Sequence, residues 1–393
     1  MKQLPRALAL LLVLTPLPAF PQSESLEDET IKRLQEYLRV DTINPPGNES
    51  RAVDFFAKLL EAEGIPYETA ESAPGRGNIW ARLKGGGEPA LVLLNHTDVV
   101  PADQDYWSTD PLSGDIRNGE LYGRGALDMK GTAMVQFQAF LALHRAGKPL
   151  RRDVLFVATA DEEAGGFYGA GWLVENRPEL FENVGLLLNE GGGGSRDGEN
   201  LVFGVEVTQK VPLWLRLVAS GAPSHGSTPH VTSSVSRLLG ALARIDDYEF
   251  QPRIVPAVQI YFEGLAEEQE GERRQQFVNL GQAIKDPEFL LQLQLDNPFL
   301  HALTRNTCTI TRLEVSNKIN VVPPEATAEI DCRLLPDQDH DEFIALLESI
   351  INDPKIRIEK IMGFTPSVST TDTELYRAIR TVCEKNYPEA DVV

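Results

Sequence analysis

The residues best placed to do chemistry are His96 and Asp98, which close the apolar run Leu91-Val92-Leu93-Leu94-Asn95-His96-Thr97-Asp98. Side chains of a strand alternate between faces, so residues two apart point the same way. The run therefore predicts an imidazole and a carboxylate side by side at the end of a buried strand. In open α/β sheets, ligands bind at such strand ends. A carboxylate that takes one ring N–H of a histidine fixes its tautomer and leaves the other nitrogen for a metal. On its own the pair fits a satisfied histidine beside a turn equally well. Two more apolar runs repeat the pattern: residues 154–158 lead to Asp161-Glu162-Glu163-Ala164-Gly165-Gly166, and residues 184–188 lead to Asn189-Glu190-Gly191. Asp128 lies in the glycine-rich loop 121–131. A single strand-end acid is unremarkable, because acids cap helices. Three strand ends and one loop carrying the same residue types point to a shared site.

His96, Asp128, Glu163 and Glu190 are ligands suited to zinc, with cobalt or manganese as substitutes. They are enough for two metals if one carboxylate bridges. Glu162 and Glu163 are neighbours on an extended chain and point apart, so one can bind metal while the other faces the cleft. A carboxylate beside a metal-activated water is a suitable general base. The bland alternative for Glu162-Glu163 is an exposed acidic turn.

The elements that must position these residues follow from periodicity. Ile31, Leu34 and Leu38, then Phe55, Phe56, Leu59 and Leu60, recur at helical spacing, with Asn44-Pro45-Pro46-Gly47 breaking two helices apart. Residues 78–83 and 90–94 read as strands joined by Lys84-Gly85-Gly86-Gly87, and 132–144 as an amphipathic helix. Strands alternating with helices indicate an α/β unit with a mostly parallel sheet. From about Thr208 the pattern changes. Strands at 211–219, 307–315, 321–334 and 356–361 and helices at 231–245 and 341–351 give the order β-α-β-β-α-β. This is the ferredoxin-like split unit, an inserted lid domain. Residues 247–306 form a polar, glutamine-rich helical insertion within it. The expected layout is a signal peptide at 1–23, a catalytic domain at 24–207, a lid at 208–363, and the second part of the catalytic domain at 364–393, where the chain stops within a helix-like pattern.

With 393 residues the chain is too long for one ordinary domain. A hydrophobic content of 42% and a charged content of 24% are those of a globular protein. The net charge of -21 argues against a nucleic-acid partner, which needs a basic footprint. Lys2 and Arg6 precede an apolar stretch and then prolines and small residues, a secretory signal pattern. Its apolar run is too short for a stable membrane span. A secreted or periplasmic location follows, where disulfides are allowed. Cys308, Cys332 and Cys383 fit no thiol metal motif. Cys308 and Cys332 could bridge two strands, or all three could be free thiols.

The His96-x-Asp98 pair, the Gly123-Arg124-Gly125-Ala126-Leu127-Asp128-Met129-Lys130-Gly131 loop and Glu162-Glu163-Ala164-Gly165-Gly166, in this order and spacing, resemble the dizinc amidohydrolase and exopeptidase family. Its members include aminoacylase-1, acetylornithine deacetylase, G-type glutamate carboxypeptidase and yeast carboxypeptidase S. The resemblance runs from about residue 30 to the end, and the long insertion is most similar to carboxypeptidase S and the secreted N-acyl-amino-acid hydrolases. It implies that His96 and Glu190 hold one zinc, that Asp128 bridges two, that Glu163 binds the second and that Asp98 orients His96. It further implies that Glu162 moves the proton from water to the leaving nitrogen. His225, in Ser224-His225-Gly226-Ser227-Thr228-Pro229, resembles the lid histidine that stabilises a developing oxyanion and, in dimeric members, reaches the neighbouring subunit. Asn320 and Arg333 match positions that contact substrate, the arginine suiting a terminal carboxylate. The implied substrates are peptides or N-acyl amino acids, and the implied assembly is a homodimer through the lid.

His144, His230, His301 and His340 match no motif and read as surface or structural residues. The family's last metal-ligand histidine has no counterpart, since no histidine follows His340. The chain is therefore expected to be a fragment, with a catalytically silent peptide-binding homologue as the rival reading. A serine hydrolase built on Ser224 and His225 fits poorly, because adjacent residues make a poor triad and no Gly-x-Ser-x-Gly elbow is present. The glycines at 191–194 lack the Lys-Ser/Thr of a phosphate-binding loop.

Overall fold

The computed structural model describes residues 25–197 and 200–393; the predicted signal segment lies outside them. Contacts divide the chain into two units, one ending at Glu190 and one from Gly191 to Val393. No helix among the described residues is long and apolar enough to cross a membrane.

The first unit begins with helices α1 (Leu26–Leu38) and α2 (Ser50–Ala62). Ser25 caps α1 through its side chain, which accepts the Asp28 N–H. Strands β1 (Tyr67–Glu71), β2 (Gly77–Leu83) and β3 (Glu88–His96) follow, then a small hairpin, β4 (Asp115–Arg117) and β5 (Glu120–Tyr122). Helix α3 (Lys130–Ala146), strand β6 (Arg152–Thr159), helix α4 (Ala170–Asn176) and strand β7 (Val184–Leu188) complete it. The main sheet has the order β1-β2-β6-β3-β7. β6, β3 and β7 are mutually parallel, while β1 and β2 join antiparallel. The glycine turn 84–87 links β2 to β3 without pairing them, because β6 lies between. The parallel strands are the ones whose ends carry the predicted acids and histidine. Between sheet and helices, Tyr37, Phe56, Phe137, Phe140 and Phe156 are fully buried in one core.

The second unit opens with two antiparallel strands, β8 (Gly193–Asp197) and β9 (Asn200–Gly204), where the sequence showed only a glycine run. Strand β10 (Val211–Ser220), the short β11 (Ser224–His225) and helix α5 (Ser234–Asp246) come next. The insertion consists of helices α6 (Pro256–Leu265), α7 (Gly271–Val278), α8 (Leu280–Ala283), α9 (Pro287–Asp296) and α10 (Pro298–Ala302). It has its own core of Phe262, Phe277, Phe289 and Leu293. Strands β12 (Thr307–Glu314), β13 (Val321–Val322) and β14 (Glu325–Leu334), helix α11 (His340–Ile351) and strand β15 (Ile356–Gly363) close the β-α-β-β-α-β series.

The four-stranded sheet has the order β12-β14-β10-β15 and is antiparallel throughout. This is the ferredoxin-like arrangement. Leu213, Leu215 and Leu217 of β10 alternate onto the face that packs against Leu238, Leu242, Phe343 and Leu347 of the two helices. The single predicted strand 321–334 is two strands, β13 and β14, because Pro323 and Pro324 lack the N–H a ladder needs. Cys308 and Cys332 face each other across β12 and β14 and form a disulfide, while Cys383 is free.

Helix α12 (Glu374–Asn386) ends before the last residues, and β16 (Ala390–Val392) pairs parallel with β9. The helix-like pattern predicted for 386–390 therefore holds only at Asn386; Pro388 and Glu389 form a turn and Ala390 begins the strand. Contacts group residues 364–393 with the second unit.

Candidate metal centre

Strand β3 delivers His96 as its last residue, only 2% exposed. Its Nδ1 lies 3.0 Å from the Asp98 carbonyl oxygen and 3.3 Å from Asp98 Oδ1. With the proton on Nδ1, the lone pair of Nε2 points the other way. Nε2 is 3.1 Å from Asp128 Oδ1, 3.4 Å from Glu190 Oε2 and 3.8 Å from Glu162 Oε2. One ligand atom each of His96, Asp128 and Glu190 lie within 4.8 Å of one another. Residues far apart in sequence thus meet at the carboxyl ends of β3, β6 and β7.

Three local devices hold them there. Gln136 of α3 accepts from Asn95 Nδ2 at 3.1 Å and donates to the carbonyls of Leu94 and Leu188 at 3.2 and 3.3 Å. It stitches together the ends of β3 and β7, just before His96 and Glu190. The Asp128 loop is tied down by Lys130, which is fully buried and donates to the Val40 and Tyr37 carbonyls at 2.6 and 3.3 Å. Gly131 allows the loop to close, since a Cβ there would meet the Ala126 carbonyl oxygen at 2.2 Å. Finally, Asp98 accepts the backbone N–H of Glu162 on Oδ1 at 3.0 Å and that of Glu163 on Oδ2 at 3.1 Å. One carboxylate orients the imidazole and anchors the acidic turn after β6.

The electrostatics call for a cation. Burial disfavours a charged His96, yet hydrogen bonds to Asp128, Asp98 and Glu190 outweigh it and push the imidazole up to about 12. The Asp128 carboxyl is held below its usual range, chiefly by its hydrogen bond to His96. Burial pushes Glu163 up to about 7, and the Asp128 charge adds to the effect. Glu163 Oε1 is enclosed without a hydrogen-bond partner. Glu162 is raised by burial and by the Glu190, Asp98 and Asp128 charges, against the opposing pull of His96. An imidazole among carboxylates, with one buried carboxylate oxygen orphaned, fits zinc, manganese or cobalt.

These shifts predict a pH effect in the metal-free protein. The folded-state value of Glu163, about 7, exceeds its ordinary 4.5, so between those values the folded state binds more protons than the unfolded one. Stability is then greatest below the unfolded value and falls as pH rises through the folded value. Denaturant titrations with chelator at pH 5 and pH 8 should show this loss, and Glu163→Gln should remove its share. An unchanged slope in the variant would contradict the assignment.

The remaining predicted site residues belong to the second unit. His225 is exposed, with Nδ1 2.7 Å from Ser227 Oγ and Nε2 3.4 Å from Asn320 Nδ2. The β11–β13 pair, with its Gly226 N–H to Asn320 carbonyl bond of 2.9 Å, brings His225 and Asn320 together. Arg333 stands apart from them. It lies eight residues beyond Glu325 along β14, or roughly 26 Å of extended strand. Its guanidinium donates to both carboxylate oxygens of Asp331 at 2.9 and 3.1 Å. Sequence reading missed Asn44, Glu49, Arg76 and Asp161, which surround Asp98 and the acidic turn. Their signal was faint: Asn44 opens the Asn44-Pro45-Pro46-Gly47 stretch that read only as a helix breaker, and Arg76 lies between two glycines with no motif around it.

A His–carboxylate cluster at the ends of parallel strands, followed in one chain by a ferredoxin-like unit, defines a two-unit α/β protein with a candidate metal site. Residues 92–393 match the model of peptidase family M20/M25/M40. The chain belongs to that family. It is similar to the N-fatty-acyl-amino acid synthase/hydrolase of Mus musculus, at 29% identity over 78% of this chain and 63% of that protein. It is similar to human aminoacylase-1 at 28% identity over 82% of this chain and 70% of that one. The chain thus spans less than two thirds of the mouse protein. In fold it resembles an M20 family metallo-carboxypeptidase from Sulfolobus solfataricus, with a TM-score of 0.70 at 22% identity, covering 93% of this chain and 85% of that one.

Proposed function

We propose that the chain is a metal-dependent hydrolase that cleaves an amide or peptide bond next to a free carboxylate, acting on peptides or N-acyl amino acids. The observation that carries this reading is the convergence of His96, Asp128 and Glu190 ligand atoms within 4.8 Å. His96, Asp128 and Glu190 would hold one metal, and Asp128 and Glu163 would serve a second; zinc is the native ion of this proposal. When bound, the metals act as Lewis acids that polarise the carbonyl and acidify water.

The chain's own residues supply the rest. Glu162, half exposed with Oε2 facing the His96 side, accepts the proton of the attacking water and returns it to the leaving nitrogen. Asp98 holds the imidazole. Arg333 exchanges Asp331 for the substrate carboxylate, a bidentate match. The His225–Asn320 pair stabilises the developing oxyanion. The proposed assembly is a homodimer in which this pair serves the neighbouring subunit. The N-terminal signal pattern and the Cys308–Cys332 disulfide support a secreted or periplasmic location.

The test is release of free amino acid from N-acyl amino acids and short peptides by the full-length protein. EDTA should abolish it and zinc should restore it. A folded, zinc-loaded protein that releases nothing would leave the silent peptide-binding homologue as the surviving reading.

A further inference from the structure

Behind the candidate centre lies a buried polar chain that no motif marks. Arg76, only 13% exposed in its side chain, donates from Nη1 to Glu49 Oε1 at 2.6 Å and from Nη2 to Asn44 Oδ1 at 3.1 Å. Its Nη1 is also 3.4 Å from Asp161 Oδ1. Asn44 in turn donates from Nδ2 to Asp98 Oδ2 at 2.8 Å. Asp98 holds His96 and the backbone of Glu162 and Glu163. We propose that Arg76 is a positioning residue for the metal centre, acting on His96 through Asn44 and Asp98 and on Glu162 through Asp161.

The physical reason is the two-ended nature of an amide. Asn44 can stabilise Asp98 only by presenting its NH2 group; turned over, it would set an oxygen against a carboxylate. Arg76 on the carbonyl end makes the useful orientation the only satisfied one. Asp98, so held, has both oxygens committed to partners that shape the site. The second branch concerns backbone. Asp161 has a left-handed φ of 69°, unusual for a residue other than glycine. Its N–H donates to Glu49 Oε1 at 3.2 Å and its Oδ2 accepts the Tyr168 N–H at 3.1 Å. Arg76 neutralises the two carboxylates that lock this conformation, and the turn bearing Glu162 starts at the next residue. Gly47, with φ 103°, makes room for the guanidinium: a Cβ there would meet Arg76 Nη1 at 2.3 Å. A lysine could not replace the arginine, since a point charge lacks the planar fork that reaches Glu49 and Asn44 together.

This inference rests on the proposed metal site and is tested by zinc binding, measured by chelator competition, alongside thermal unfolding. Arg76→Gln should weaken zinc binding about 10- to 100-fold, the usual range for residues supporting metal ligands. Arg76→Lys should recover only part of the loss. Gly47→Ala, whose Cβ would meet both Arg76 Nη1 at 2.3 Å and Glu49 Oε2 at 2.7 Å, disturbs the same pair from the other side at some backbone strain; it should weaken zinc binding in the same direction and keeps the test open if Arg76→Gln does not fold. Arg76→Gln combined with Asn44→Leu should weaken zinc binding by less than the sum of the two single losses, because the Asn44–Asp98 branch is shared and only the Asp161 branch remains for Arg76 to lose. Folded Arg76→Gln and Gly47→Ala proteins that both bind zinc within twofold of wild type would overturn the inference. Wild-type protein that binds no zinc, or binds it unaffected by His96→Ala, would instead overturn the metal site itself.

Discussion

Glu162→Gln should lower hydrolysis by the full-length protein about 10²- to 10⁴-fold, the usual contribution of a positioned general acid–base, while leaving zinc content unchanged. The geometry separates these two readouts. Glu162 Oε2 is 3.8 Å from His96 Nε2, farther than Asp128 or Glu190, and its side chain is 52% exposed where a substrate could reach it. Its backbone N–H is held by Asp98, a contact the amide variant keeps. Burial and the neighbouring acids raise its carboxyl above the ordinary range, the direction that suits a group taking up and releasing a proton near neutral pH. Steady-state rates and metal analysis on the same preparation check the prediction. Activity retained within a few-fold would remove Glu162 from the mechanism, and a parallel loss of zinc would recast it as a ligand.

Phe156→Ala should destabilise the protein by about 3–5 kcal/mol, the range for emptying a fully buried aromatic site. Phe156 lies on the strand that leads into the acidic turn and is fully buried. Its ring centroid is 5.1 Å from that of Phe56, 5.0 Å from Phe137 and 6.1 Å from Phe140. These partners come from both flanking helices, so the cavity opens where sheet and helices meet and rigid neighbours cannot readily refill it. Denaturant unfolding would show the loss as a shifted midpoint. A cost below about 1.5 kcal/mol, typical of a volume-conserving swap, would mean the aromatic cluster is not packed as described.

Much of the site was legible because it depends on local rules. The alternation of a strand placed His96 and Asp98 together, and the apolar runs before Glu162 and Glu190 marked strand ends. The β-α-β-β-α-β order of the second unit was legible for the same reason, apart from the break at Pro323-Pro324. The paired strands 193–197 and 200–204 were hidden because glycines carry no alternation to read. The C-terminal strand at 390–392 was hidden because three residues are too few for a period, and it forms only against a partner at 201–203.

The sequence by itself determined which residue types stand at the strand ends, the chemistry open to them, and the class of each unit, since all three follow from spacing along the chain. Only the tertiary structure decided which atoms meet. It brought Asp128 and Glu190 to one nitrogen of His96, paired His225 with Asn320 away from Arg333, joined Cys308 to Cys332, and set Arg76 behind Asp98. Those choices depend on sheet order, register and burial, which are properties of the whole packed chain, and no local pattern encodes the distance between residues that only folding makes neighbours.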